Sequence, residues 1–243
     1  MNKFTRRTVI AAACAAAAMT FAPMSFAQQA PEKKDVTIAV GGKSLYYYLP
    51  LSIAEQLGYF KDEGLNVKIV DFQGGSRSLQ AVVGGSADVV SGAFEHTISM
   101  QAKKQPMTAF VLQGRAPQLA LVVSNKTMKD YKQLSDLRGK KVGVTAPGSS
   151  SQMVANFILK KGGLGPKDVA FIGVGSSSGA VSAIRSGQID ALINLDPVIT
   201  ILLKNGDAKL VADTRKVKES ESFFGGTMPA GCLYAPVSFV EKN

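Results

Sequence analysis

From Val36 onward the chain alternates short β-branched runs with stretches of helical spacing. Val36-Thr37-Ile38-Ala39-Val40 predicts a buried strand. Pro50 to Leu57 predicts a helix, with Pro50 suited to its first turn and Gly58 to its stop. A strand over Val67 to Phe72 follows, then a helix over Ser76 to Val83 with Leu79, Val82 and Val83 on one face. Ala87 to Ser91 and Thr108 to Leu112 read as two more strands. The order then returns. Lys141 to Thr145 is a strand, and Ser149 to Lys161 a helix with Met153, Phe157 and Ile158 turned inward and Gly162 at its end. Val169 to Val174 (strand), a helix near Gly179 to Arg185, and Asp190 to Asn194 (strand) complete the second pass. Strands separated by helices imply a mostly parallel sheet covered on both faces.

The two passes share letters as well as order. Gly74-Gly75-Ser76, Ala81-Val82, Gly85 and Asp88 line up with Ser176-Ser177-Ser178, Ala183-Ile184, Gly187 and Asp190. Asp88 and Asp190 stand 102 residues apart, as do Gly85 and Gly187, which favours two similar α/β lobes over chance. Gly114 and Pro117 interrupt the pattern between Gln113 and Val123, and a second crossing falls near Ala230 to Tyr234. The division expected is residues 28–116 for the first lobe and 117–230 for the second, with 231–243 returning towards the first. Two extended crossings make a hinge, and the cleft between the lobes is the natural site.

The first 27 residues read as an address. Lys3, Arg6 and Arg7 form a positive start, Val9 to Phe21 is apolar, and Ser25-Phe26-Ala27 supplies small residues for cleavage after Ala27. Thr5-Arg6-Arg7 also fits the twin-arginine route. An exported, periplasmic protein is expected. Removing the leader takes three basic residues and no acidic one, so the net charge of +10 falls by three. No dense Lys/Arg run carries interleaved aromatics, so nucleic acid is not an expected partner. One His and two Cys (Cys14 and Cys232) rule out His-rich or four-Cys metal sites, and neither metal nor cofactor is expected.

Candidate ligand contacts lie where strands run into helices. Three such loops are built from Gly and Ser: Gly74-Gly75-Ser76, Pro147-Gly148-Ser149-Ser150-Ser151 and Ser176-Ser177-Ser178. Free N–H groups at helix starts favour an anion, and serine hydroxyls add donors. The same serines also serve as plain helix caps. Asp196-Pro197 is equally an ordinary helix start and a ligand contact at a strand end. Tyr47 lies in the run Tyr46-Tyr47-Tyr48, whose loop also holds Lys43 and Ser44. Glu95-His96 follows the third strand, and a lone His is more often a structural hydrogen-bonder. Arg115, at the first crossing, pairs either an acidic ligand head or a surface carboxylate. No G-x-S-x-G elbow, Walker loop or nucleophile–base set is present, so no catalytic residue is expected.

Over residues 35–243 an ordered set of stretches resembles the substrate-binding components of ABC importers of the nitrate/sulfonate/taurine type. The set includes Leu49-Pro50-Leu51-Ser52-Ile53-Ala54-Glu55, Gly58-Tyr59-Phe60, Gly84-Gly85-Ser86-Ala87-Asp88-Val89, Asp136-Leu137-Arg138-Gly139-Lys140-Lys141-Val142-Gly143-Val144 and Asp196-Pro197. The resemblance implies an α/β type II periplasmic binding-protein fold of two lobes, with the C-terminal part of the first lobe missing. It implies a monomer that traps a small anionic or zwitterionic solute and hands it to an ABC permease at the inner membrane. It places ligand contacts at Gly42 to Ser44, Gly74 to Ser76, Gly92-Ala93, Gly148 to Ser150 and Asp196. The rival readings are an enzyme on the same scaffold, akin to pyrimidine-precursor synthases, and a ligand-sensing module for a membrane receptor. The synthases carry a cysteine-rich motif that Cys232 alone does not supply.

Overall fold

The computed structural model describes residues 31–243, so the leader reading lies outside the described residues. In chain order the elements are β1 (Asp35–Val40), α1 (Leu49–Gln56), α2 (Tyr59–Asp62), β2 (Asn66–Asp71), α3 (Gly75–Val83), β3 (Val89–Ala93), α4 (Glu95–Ala102) and β4 (Met107–Leu112). Then come β5 (Ala120–Ser124), β6 (Lys141–Val144), α5 (Ser150–Lys161), β7 (Ala170–Gly173), α6 (Ser178–Ser186), β8 (Ala191–Asn194) and α7 (Val198–Lys204). β9 (Ala208–Asp213), α8 (Val217–Phe224), β10 (Gly231–Pro236) and α9 (Val237–Lys242) complete the chain. Tyr46–Tyr48 and Leu134–Leu137 form short 3-10 turns.

The strands form two five-stranded sheets, ordered β2-β1-β3-β10-β4 and β7-β6-β8-β5-β9. The architecture is the two-lobed α/β fold of the type II periplasmic binding proteins. The sheets are mostly parallel, as expected, with one reversed strand in each. β1 runs parallel to β2 and β3, and β6 to β7 and β8, but β10 and β5 run antiparallel to both of their neighbours. These two strands follow a passage from the other sheet, so they enter from the opposite end.

The repeat survives down to single hydrogen bonds. Asp88 Oδ2 accepts the Thr37 N–H at 2.8 Å, and the Asp88 N–H donates to the Thr37 carbonyl at 2.9 Å. Asp190 Oδ2 accepts the Lys141 N–H at 2.9 Å, and its N–H donates to the Lys141 carbonyl at 2.8 Å. Each aspartate ties the turn after a helix to the neighbouring strand of its sheet, β1 or β6. That tie delays β3 to Val89, two residues later than the apolar run suggests.

Two helix faces differ from the pattern. α3 buries Ser78, Ala81 and Val82, leaving Val83 46% exposed. α5 buries Ser151, Val154, Ala155, Ile158 and Leu159, while Phe157 is 48% exposed and packs on Phe224 with ring centroids 5.3 Å apart. Spacings of three and four residues fix the inner face. Small residues on that face let the helix approach the sheet, so the bulkiest side chain is not the innermost. The short elements α2, α4, α8, β9 and α9 were not foreseen from periodicity.

Candidate functional site

The strand ends of the two sheets face each other through their Gly/Ser loops. The Ser76 N–H donates to Ser149 Oγ at 3.1 Å, Ser76 Oγ donates to the Pro147 carbonyl at 2.9 Å, and Ser149 Oγ donates to Ser76 Oγ at 3.1 Å. The Tyr46 N–H donates to the Asp196 carbonyl at 3.0 Å. Glycine is required at two of these approaches. Gly74 (φ +85°) lies where a Cβ would come within 2.8 Å of Ala146 Cβ, and Gly42 (φ +113°) lies where a Cβ would collide with Ser176 Oγ. The N-termini of α3 and α5 thus meet in one place, each presenting the positive end of its dipole.

Behind that meeting point lies a buried polar group from the first sheet. His96, 5% exposed, is the second residue of α4 and shares a 2.9 Å hydrogen bond between Nδ1 and Tyr234 Oη. Its Nε2 makes no well-formed hydrogen bond, the Gly148 carbonyl being the group that acts on the ring, and its Cε1 faces Gly75, where a Cβ would stand 3.1 Å away. Burial pushes the imidazole pKa down to about 4, against a smaller opposing pull from the Gly148 carbonyl, so the ring is neutral. Glu95 Oε1 is likewise buried and unpartnered, and burial lifts its pKa to about 7. Tyr47 Oη is a third such atom. Burial, with Glu95 nearby, raises the Cys232 thiol to about 12, so it supplies no thiolate at neutral pH.

The structure brings together Gly74, Gly75, Ser76, Gly148, Ser149 and Ser176 on the facing loops, with Ser150 opening α5 beside them. Tyr47 is buried beneath, and Gly92 and Ala93 pair with Cys232 and Gly231 across β3 and β10. The remaining candidates have these surroundings. The Lys43 ammonium pairs with Glu55 at 2.7 Å and its N–H with Asp71 at 2.8 Å. Ser44 and Arg115 are exposed. The Asp196 carboxylate accepts the Thr200 N–H (3.0 Å), the Thr200 hydroxyl (2.7 Å) and Arg215 Nη1 (3.1 Å). It therefore anchors the start of α7, where Pro197 rather than Asp196 is the cap residue. Glu95, His96 and Tyr234 were not among the candidate ligand contacts. The only signal for Glu95 was its place beside His96 at a strand's carboxyl end.

Fold and geometry define a two-lobed α/β protein with a polar cleft at opposed strand ends. Residues 46–217 match the family model described as NMT1/THI5 like, and the chain belongs to that family. Among curated relatives it is 26% identical over 162 residues to the 4-amino-5-hydroxymethyl-2-methylpyrimidine phosphate synthase of Schizosaccharomyces pombe, covering 66% of this chain and 45% of the synthase. It is 25% identical over its whole length to the putative binding protein YtlA of Bacillus subtilis, covering 70% of that protein. Further synthases of the same name match over 67–75% of the chain. The chain spans about half the length of the curated synthases it matches.

Among solved structures, a protein of Bordetella bronchiseptica RB50 is 62% identical at a TM-score of 0.85, over 87% of this chain and 66% of that one. The periplasmic nitrate-binding protein NrtA of Synechocystis PCC 6803 shares the fold at 17% identity and a TM-score of 0.70, over 88% of this chain and 58% of that one. The fold is thus one found in exported proteins, in keeping with a secreted or surface-associated chain.

These findings correct the functional expectations. The matching family model and the curated synthases overturn the assignment to nitrate/sulfonate/taurine transport receptors. With it fall the non-catalytic reading, the solute-delivery role and the ABC permease partner. The physical reason is that transport receptors and these synthases share one scaffold, so the glycine, serine and strand-end motifs mark the scaffold and do not separate the two.

Proposed function

We propose that the chain is an enzyme of the pyrimidine-phosphate synthase type, working in the cleft between its two sheets. The observation that carries this reading is His96: a neutral, buried imidazole held at Nδ1 by Tyr234 and facing the junction of two helix N-termini. The N–H groups opening α3 and α5, with the Ser76 and Ser149 hydroxyls, suit a phosphate ester. Tyr234 holds the ring by Nδ1, and since its hydroxyl either donates or accepts there, Nε2 takes the complementary role towards the reacting molecule in each tautomer. A neutral imidazole accepts a proton or attacks an electrophile, whereas a protonated one does neither. The family's named synthase activity supports the product class. The leader pattern over residues 1–27 and the fold's periplasmic relatives support action in the periplasm after cleavage following Ala27.

Complementation tests both statements. The full chain, expressed in a bacterium auxotrophic for 4-amino-5-hydroxymethyl-2-methylpyrimidine, is expected to restore growth. His96→Ala is expected to abolish rescue while leaving the far-UV circular dichroism unchanged. Fractionation of the same cells is expected to place the mature chain, beginning at Gln28, in the periplasm. No rescue and no pyrimidine phosphate by mass spectrometry would sink the enzyme reading.

A further inference from the structure

Tyr47 Oη, Glu95 Oε1 and His96 Nε2 are buried polar atoms without a well-formed hydrogen bond, and they come from one neighbourhood. Tyr47 packs over Gly231, where a Cβ would stand 3.4 Å from Tyr47 Cζ. Gly231 faces Ala93 across β3 and β10, and Glu95 opens α4 two residues after Ala93. Tyr234, three residues along β10, holds the His96 ring. Glu95 is the foremost charge acting on both Tyr47 and Tyr234. Leaving a buried polar atom unpaired costs about 1–3 kcal/mol, so native structures seldom leave three side by side without a water or ligand to serve them.

The chemistry of the three atoms selects what fills the place. Glu95 has no Lys or Arg ion-pair partner among the described residues. An anionic group beside it would add a second uncompensated charge, so the anionic end of a ligand belongs at the α3 and α5 termini. The end that meets Glu95 must bring N–H donors.

The geometry points to Glu95 and Tyr47 as specificity-determining residues that read an amino-substituted nitrogen heterocycle, Glu95 Oε1 accepting the exocyclic amino N–H and the Tyr47 hydroxyl pairing with a ring nitrogen. This rests on reading the cleft as the site of a pyrimidine phosphate, and it adds which edge of the ring the protein recognises. Burial holds the Glu95 carboxyl near half-protonation at neutral pH, so the pocket accepts a neutral amino-heterocycle without stranding a full charge. A ring lacking the amino group leaves Oε1 unpaired, the circumstance in which polar sites discriminate most strongly.

Calorimetric titration of the full chain with two probes tests the assignment: 4-amino-5-hydroxymethyl-2-methylpyrimidine phosphate and its analogue with hydrogen in place of the amino group. The wild type is expected to bind the amino compound at least about tenfold more tightly. Glu95→Met is expected to erase that preference, Glu95→Gln to keep most of it because an amide carbonyl still accepts the N–H, and Tyr47→Phe to weaken both ligands alike. Equal wild-type affinity for the two compounds overturns the inference and needs no variant to fold. A preference that survives Glu95→Met overturns it as well. Either result, obtained alongside growth rescue, leaves the synthase reading standing; failure to bind either compound removes both.

Discussion

Glu95 and His96 are adjacent in sequence and shifted in opposite senses by the same cause. Glu95 titrates near 7 in the fold against an ordinary 4.5, so the folded state holds that proton more tightly and stability falls as pH rises from 4.5 to about 7. His96 titrates near 4 against an ordinary 6.5, so the unfolded chain takes that proton first and stability falls as pH drops from 6.5 to about 4. Between 4.5 and 6.5 the two slopes cancel. Glu95→Gln is expected to unmask stability that rises with pH across that window, and His96→Asn stability that falls. Each slope is at most about 1.4 kcal/mol per pH unit. Urea unfolding at three pH values within the window measures both, and parallel profiles for wild type and variants would refute the pairing. The sequence placed the two residues at a strand end. It did not show that they are buried, because the residues that bury them, Tyr47 and Tyr234, lie on distant segments.

At the scale of elements, the repeat was the most legible feature. The 102-residue offset matched turn for turn, and Asp88 and Asp190 tie their helix turns to β1 and β6 by the same pair of hydrogen bonds. Asp88→Asn and Asp190→Asn are therefore expected to destabilise the fold by similar amounts, about 1–2 kcal/mol each, read as a lowered thermal midpoint. An unchanged midpoint in either variant would show that its tie is not holding the turn. The boundaries of β1, β2, α3, α5 and β6 agreed with periodicity to within a residue or two. Side-chain direction agreed less well. Val83 was grouped on the apolar face of α3 and Phe157 on that of α5, yet both are exposed, and Ser78, Ala81, Ser151 and Ala155 lie inside. Strand direction was also illegible for β5 and β10, since an apolar run carries no sign of which way it enters a sheet.

For the whole molecule, the contact between Ser76 and Ser149 acts as a latch across the cleft. Ser149 Oγ both accepts from the Ser76 N–H and donates to the Ser76 hydroxyl. Ser149→Ala removes both bonds, and about 1–2 kcal/mol is enough to move a closed-to-open ratio by roughly five- to thirtyfold. Small-angle X-ray scattering of the ligand-free variant is expected to give a larger radius of gyration than the wild type; identical profiles would show that the latch does not govern closure. What the sequence determined by itself was local. Alternating apolar runs, glycine–serine loops and a duplicated turn follow from backbone preferences over a few residues, and these specify a doubled α/β scaffold. The tertiary structure alone decided the chemistry. Tyr234 meets His96 across 138 residues of chain, and Tyr47 packs over Gly231 of the same strand from a segment before β2. Desolvation, which makes His96 neutral and Glu95 reluctant to ionise, depends on what packs around a group, and packing between distant segments leaves no mark in the spacing of any one of them.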